Sequence, residues 1–162
     1  MGEKTKQTVE STVLDKTNLS ILRVLQQNAR ITVKDLAEKV NLSATPVHER
    51  VRRLERTGVI QQYVALLDAT KVGKSLMVIC YVSLQQHNKD AGGKFIQAIL
   101  GMDEVLECLT ISGQFDFMLK VVAENMDAYY NFHVNKLSAL ENVGNVQSVF
   151  VMGVIKQSYR LV

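Results

Sequence analysis

The chain has 162 residues, 47% apolar and 22% charged, an ordinary balance for a soluble protein of one domain or two small ones. It contains no apolar run of 18 or more residues, which excludes a membrane-spanning helix. Residues 1–12 are polar and lack the apolar block of a signal peptide, so a cytoplasmic protein with a loose N-terminal arm over 1–13 is expected. The net charge is +3, but residues 1–72 hold 12 Lys and Arg against 8 Asp and Glu, while the remainder holds 7 against 8. The basic charge therefore belongs to the first half, where a polyanion binder would need it. Cys80 and Cys108 sit in apolar runs without paired spacing, as buried free thiols in a reducing compartment do.

Three helix starts in the first half share one arrangement. An apolar residue precedes a capping residue, and another apolar residue follows four positions after the cap. Leu14-Asp15 pairs with Leu19, Ile31-Thr32 with Leu36, and Leu42-Ser43 with Val47. Each matches a cap with a hydrophobic staple. Helix one is predicted over 15–27 with Ile21, Leu22 and Leu25 inward. Helix two is predicted over 32–40 with Leu36, Ala37 and Val40 inward, stopped by Asn41. Helix three runs over 43–57 and ends at Gly58. The single proline, Pro46, falls at N3 if Ser43 is the cap and at N1 if Thr45 is; the staple to Leu42 favours Ser43, which can then cap the Thr45 N–H.

Helix three carries the most informative pattern. Val47, Val51 and Leu54 share one face, with Thr45, Glu49, Arg52 and Arg56 opposite and His48 and Arg53 flanking. A helix that buries one side and offers a short polar residue, a carboxylate and arginines on the other suits the DNA major groove. Arg52 and Arg53 would reach guanine edges or phosphates, Ser43 and Thr45 the backbone, and Glu49 a cytosine amine, with His48 serving either role. Arg50 lies close to the core side, where a structural ion pair competes with a phosphate contact. The bland alternative is a solvated basic face on an ordinary trihelical domain.

Residues 59–67 are rich in β-formers and are predicted as a small hairpin, the wing of a winged helix; 68–74, with Gly73, reads as a linker. The second half changes period. Strands are predicted over 75–85, 105–111, 116–123 and 146–155, and helices over 90–100 and 126–140. The order β-α-β-β-α-β is that of a ferredoxin-like sandwich, with both helices on one face of an antiparallel sheet. The other face should be polar. It is not: Met77, Ile79 and Tyr81 oppose Leu76, Val78, Cys80 and Val82, and Phe150, Met152 and Val154 oppose Val149, Val151 and Ile155. A second copy packed sheet to sheet is the expected cover, and it would supply two reading heads.

The chain closely resembles the Lrp/AsnC, or feast/famine, family of transcriptional regulators. The resemblance spans nearly its whole length. The matching stretches are Leu14-Asp15 with Asn18 and Ile21-Leu22, the run Leu42 to Glu55, Glu107-Cys108 followed by Ile111 to Asp116, and Val154 to Ser158. Gln114 stands where the family often has Asp, removing one carboxylate beside the expected effector cleft. The resemblance implies an α+β protein with a winged helix-turn-helix domain over 14–67 and a ferredoxin-like effector and oligomerisation domain over 75–162. It implies homodimers assembling further, commonly to octamers. It also implies a small amino-acid effector, leucine or another, bound in the second domain where dimers meet. Transcription would be activated or repressed on double-stranded DNA, with no catalysis, no cofactor and no membrane partner.

On that resemblance, amides near Gly113 and Ser112 would receive the effector's carboxylate. Asp116 would pair with its ammonium group, and Thr110, Met126 and Val149 would hold its side chain. Read without the resemblance, 112–116 is a tight turn with Gly113 at positive φ. His48, His87 and His133 are widely separated, and no zinc spacing, phosphate loop or nucleophile motif appears. Two rivals remain: a metabolite-binding oligomer or ferredoxin-like enzyme whose helical head docks a protein, and a winged-helix RNA binder. The latter usually needs stacking aromatics, which residues 31–58 lack.

Overall fold

Three helices build the first half: α1 (Lys16–Gln27), α2 (Val33–Lys39) and α3 (Ala44–Arg56). The computed structural model describes residues 14–86 and 89–162, so the N-terminal arm and His87 lie outside the described residues. Asp15 caps α1 by accepting the Asn18 N–H at 2.7 Å, and Thr32 caps α2 by accepting the Asp35 N–H at 3.1 Å. Ser43 occupies the cap of α3 but makes no side-chain bond there, contrary to the expected bond to Thr45. Caps bond N2 or N3 donors, and Pro46 at N3 offers none. Asn41 (φ 55°) stops α2 and Gly58 (φ 74°) follows α3 where the two helices were expected to end, both in the left-handed region. Ile21, Leu22, Leu36, Ala37, Val47 and Leu54 form the core among the three helices.

The predicted hairpin over 59–67 does not form; no strand occurs there. The run Val59 to Leu67 contains no Gly, Pro, Asn or Asp to reverse it, and it pairs with no strand among the described residues. Ile60 donates its N–H to the Leu54 carbonyl at 3.0 Å, and the Tyr63 hydroxyl donates to Glu55 at 2.9 Å. Burial and then the Glu55 carboxylate push the Tyr63 phenol up to about 12. The linker holds one 3-10 turn, Thr70–Val72, ended by Gly73 at φ 74°.

A four-stranded antiparallel sheet organises the rest: β1 (Leu76–Leu84), β2 (Val105–Thr110), β3 (Phe117–Ala123) and β4 (Val143–Phe150), in the order β2-β3-β1-β4. The helices are α4 (Lys89–Leu100) and α5 (Met126–Phe132). A π turn over His133–Leu137 continues α5, which therefore stops short of the predicted Leu140. Strand β4 ends at Phe150 rather than Ile155. The ladder goes one bond further, from the Val151 N–H to the Met77 carbonyl (3.0 Å), and β1 begins at Leu76, so positions beyond 152 have no β1 residue opposite them.

Val78, Cys80 and Val82 of β1 are fully buried against Phe95 and Ile99 of α4 and Tyr129 and Phe132 of α5. The Cys80 thiol lies 3.2 Å from the Tyr129 hydroxyl, which bonds Ser148 at 2.6 Å, and burial pushes the thiol's pKa up. Cys80 and Cys108 are both free thiols; Cys80 is buried as predicted, whereas Cys108 is only partly buried. On the opposite face, Met77, Ile79 and Tyr81 are half-buried beside Met118, Leu109 and Val149, with one ion pair, Lys120–Glu107 at 3.0 Å. Met152 and Ile155, placed in the last strand by the periodicity, lie beyond it and are 100% and 99% exposed.

The chain divides into two units, one ending at Ala65 and rejoined by Lys156–Val162, the other spanning Leu66–Ile155. Residues 156–162 group with the helices, where Gln26 of α1 bonds their backbone.

Candidate functional site

The geometry of α3 follows from its core side. Val47 and Leu54 are buried at 0% and 1% exposure, one turn-pair apart, which turns Thr45, His48, Glu49, Arg52, Arg53 and Arg56 outward into solvent. His48, Glu49, Arg52, Arg53 and Arg56 line one open depression. Arg56 belongs to this group although the candidate residues chosen from the sequence omitted it. Its spacing from Glu49 and Arg52 (i+7 and i+4) was the available signal. Ser43 stands exposed at the helix start. Guanidinium forks, an imidazole, a carboxylate and a hydroxyl on one exposed helical face match hydrogen-bonding base edges and phosphates.

Arg50 is elsewhere. Its guanidinium donates to the Asp15 carboxylate at 2.7 Å and to the Asn18 side-chain oxygen at 2.9 Å, so it ties α3 to the start of α1. Of the two roles weighed for it, the structural ion pair is the one formed. The Asn18 N–H, and after it the Arg50 guanidinium, hold the Asp15 carboxyl below its ordinary value of 3.8.

The second candidate cluster is brought together only in part. Ser112 and Gly113 are exposed in the β2–β3 turn, with Gly113 at the predicted positive φ of 124°. Phe115 folds against Tyr81, their ring centroids 5.4 Å apart. Asp116 is less available than expected for an ammonium group. One carboxylate oxygen accepts the Leu84 N–H at 2.7 Å, and its own N–H donates to the Val82 carbonyl at 2.9 Å. That carboxylate pins the turn to the end of β1. Thr110 pairs with Phe117 on the helix-covered face, whereas Val149 pairs with Ile79 on the open one. Met126 follows the far end of β3, a strand of seven residues and about 20 Å away from the turn. The six residues therefore do not line a single cavity within one chain. Among the described residues no group of His, Cys, Asp and Glu is placed to hold a metal ion, and no helix is long and apolar enough to cross a membrane.

Comparison with known proteins agrees with this geometry. The family model for the Lrp/AsnC ligand binding domain matches residues 77–161, and that for a winged helix-turn-helix DNA-binding domain matches 14–61. The leucine-responsive regulatory protein of Klebsiella pneumoniae is 40% identical over 149 residues, covering 92% of this chain and 91% of that one. The protein of the same name from Rhizobium meliloti (strain 1021) is 40% identical over 146 residues, covering 90% and 93%. Among solved structures, a transcriptional regulator from Neisseria meningitidis in complex with L-Met superposes with a TM-score of 0.87 at 36% identity, covering 91% of this chain and 96% of that one. An AsnC family transcriptional regulator from Agrobacterium tumefaciens follows with a TM-score of 0.86 at 35% identity, covering 91% and 95%.

Proposed function

This chain belongs to the Lrp/AsnC family of transcriptional regulators, and we propose that the exposed face of α3 is the surface with which it reads double-stranded DNA. The protein is a DNA-binding regulator with an amino-acid-binding domain, not an enzyme. The observation that carries the assignment of α3 is the outward display of Thr45, His48, Glu49, Arg52 and Arg53, with Arg56, directly behind the buried Val47 and Leu54. Ser43 and Thr45 contact the backbone at the helix N-terminus, Arg52 and Arg53 contact guanine edges or phosphates, and Glu49 accepts from a cytosine amine. Arg50 positions the helix from behind and touches no DNA.

The effector is a small amino acid; methionine, which the Neisseria relative holds, and leucine are the first to test. The turn 112–116 forms one wall of its site, offering amides at Ser112 and Gly113. Thr110, Met126 and Val149 are too far apart to complete that wall in one chain, which favours a site finished by a second copy. Two copies pair through the open sheet face around Ile79, and pairs assemble further, commonly to octamers. Each assembly carries several reading heads in the cytoplasm, and effector binding changes which of them engage one DNA segment together.

Selection of bound sequences from random DNA, with and without a mixture of L-amino acids, tests this reading. The expected product is a two-fold motif whose recovery changes with the mixture. Recovery of no motif by the wild-type protein, at low as well as moderate salt, overturns it.

A further inference from the structure

One side chain on α1 holds a segment from the other end of the chain. The Gln26 carboxamide NH₂ donates to the Tyr159 carbonyl at 2.8 Å, and its oxygen accepts the N–H groups of both Leu161 (3.2 Å) and Val162 (3.1 Å). A carboxamide offers both a donor and an acceptor, and here both engage one short stretch of backbone 133 to 136 residues away. The stretch curls before it docks: the Arg160 N–H donates to Ser158, and the Gln157 side chain to the Tyr159 hydroxyl. Leu161 is 91% exposed, while Tyr159 (54%) and Val162 (41%) are partly covered. The polar part of the attachment consists of hydrogen bonds to main chain at exposed positions. Such bonds exchange readily with solvent.

The chain passes between its two units twice, at Ala65–Leu66 and again at Ile155–Lys156. The first passage is followed by residues that form neither helix nor strand up to Asp68. With residues 156–162 attached to α1, the helical unit has two connections to the sheet unit; with them released it has one. We propose that Gln26 and residues 156–162 form a reversible latch that limits the freedom of the helical unit and so sets how well two heads of one assembly engage a two-fold DNA site. A second tether raises the effective concentration of one head once the other is bound, and adds nothing to a single head's own contacts. This DNA consequence rests on the reading of α3 above; the latch itself does not.

The test uses the full chain and two substitutions on the surface of α1, both compatible with a helix. Gln26→Leu removes donor and acceptors alike, whereas Gln26→Glu keeps the acceptor toward Leu161 and Val162 and loses the donor toward Tyr159. Amide hydrogen exchange at Leu161 and Val162 should quicken about tenfold in Gln26→Leu and much less in Gln26→Glu, as removal of one net hydrogen bond requires. Duplexes carrying one or two copies of a half-site selected with the wild-type protein supply the second readout. Affinity for the two-copy duplex should fall several-fold in Gln26→Leu while that for the one-copy duplex stays the same. Unchanged exchange at Leu161 and Val162 overturns the latch; equal losses on both duplexes overturn its role in joining heads. Failure of the wild-type protein to bind either duplex overturns the reading of α3 instead, and the exchange rates still judge the latch.

Discussion

Arg50 and Asp15 are joined across 35 positions of sequence by a hydrogen-bonded ion pair of 2.7 Å, and the other oxygen of the same carboxylate caps α1 through the Asn18 N–H. One aspartate thus starts the first helix and fixes the third. It also separates the arginines of α3 into two groups: Arg50, which faces the protein, and Arg52, Arg53 and Arg56, which face solvent.

That separation predicts opposite phenotypes for neighbouring residues. Arg52→Ala should weaken binding to the selected operator by about 1–3 kcal/mol if it reads a base, or lower the salt slope of binding by about one if it holds a phosphate. Its melting temperature should stay that of the wild type. Arg50→Ala should lower the melting temperature, and once folded at low temperature should keep the wild-type salt slope. Gel shifts over a salt series and thermal melts of both variants decide between these outcomes, and a reduced slope in Arg50→Ala would reverse the assignment.

A pH dependence follows from the same pair. Asp15 is held below its ordinary 3.8, first by the Asn18 N–H and then by Arg50. A depressed carboxyl stabilises the folded state fully above the unfolded value, and loses that contribution as pH falls from 3.8 through the folded value. Asp15→Asn removes the titration, so the stability difference between wild type and variant should be constant above pH 5 or so and narrow in acid. Urea titrations at pH 6 and pH 3 measure it; a gap that widens in acid contradicts the linkage.

The open sheet face should respond to charge. Ile79 sits mid-strand on that face, half-buried, opposite Lys120 and Val149. Ile79→Lys places a second cation near Lys120 and disrupts an apolar surface without entering the core. Light scattering should then report a single subunit where the wild type reports a dimer or larger, with helical circular dichroism unchanged. An unaltered mass would mean that copies pair elsewhere.

Gly113 adopts φ 124°, a conformation closed to residues with a branched Cβ, although open space surrounds it. Gly113→Val should therefore distort the 112–116 turn at a local cost of about 1–3 kcal/mol and leave the sheet core intact. Calorimetry against the set of L-amino acids should show binding by the wild type and a loss of at least tenfold in the variant. Wild-type affinity retained in Gly113→Val would move the effector site away from this turn.

Much of this protein is legible in its sequence because the relevant physics is local. Asp15 and Thr32 announce their caps by sitting one residue ahead of an amphipathic run, and Asn41, Gly58 and Gly113 announce positive φ by what they lack in steric cost. The alternation of Val78, Cys80 and Val82 with Met77, Ile79 and Tyr81 specifies a two-faced strand before any partner is known. The features that sequence leaves open depend on atoms distant along the chain. The β-forming run after Gly58 pairs with no strand among the described residues, and beyond position 152 the last run has no β1 residue opposite it, because β1 begins at Leu76. Whether Arg50 meets DNA or Asp15 turns on the close approach of α1 and α3, and whether Asp116 awaits a ligand turns on where the Leu84 N–H lies. Periodicity and capping reach only a few residues; long-range hydrogen bonds and strand pairing exist only once the core has brought those distant groups together.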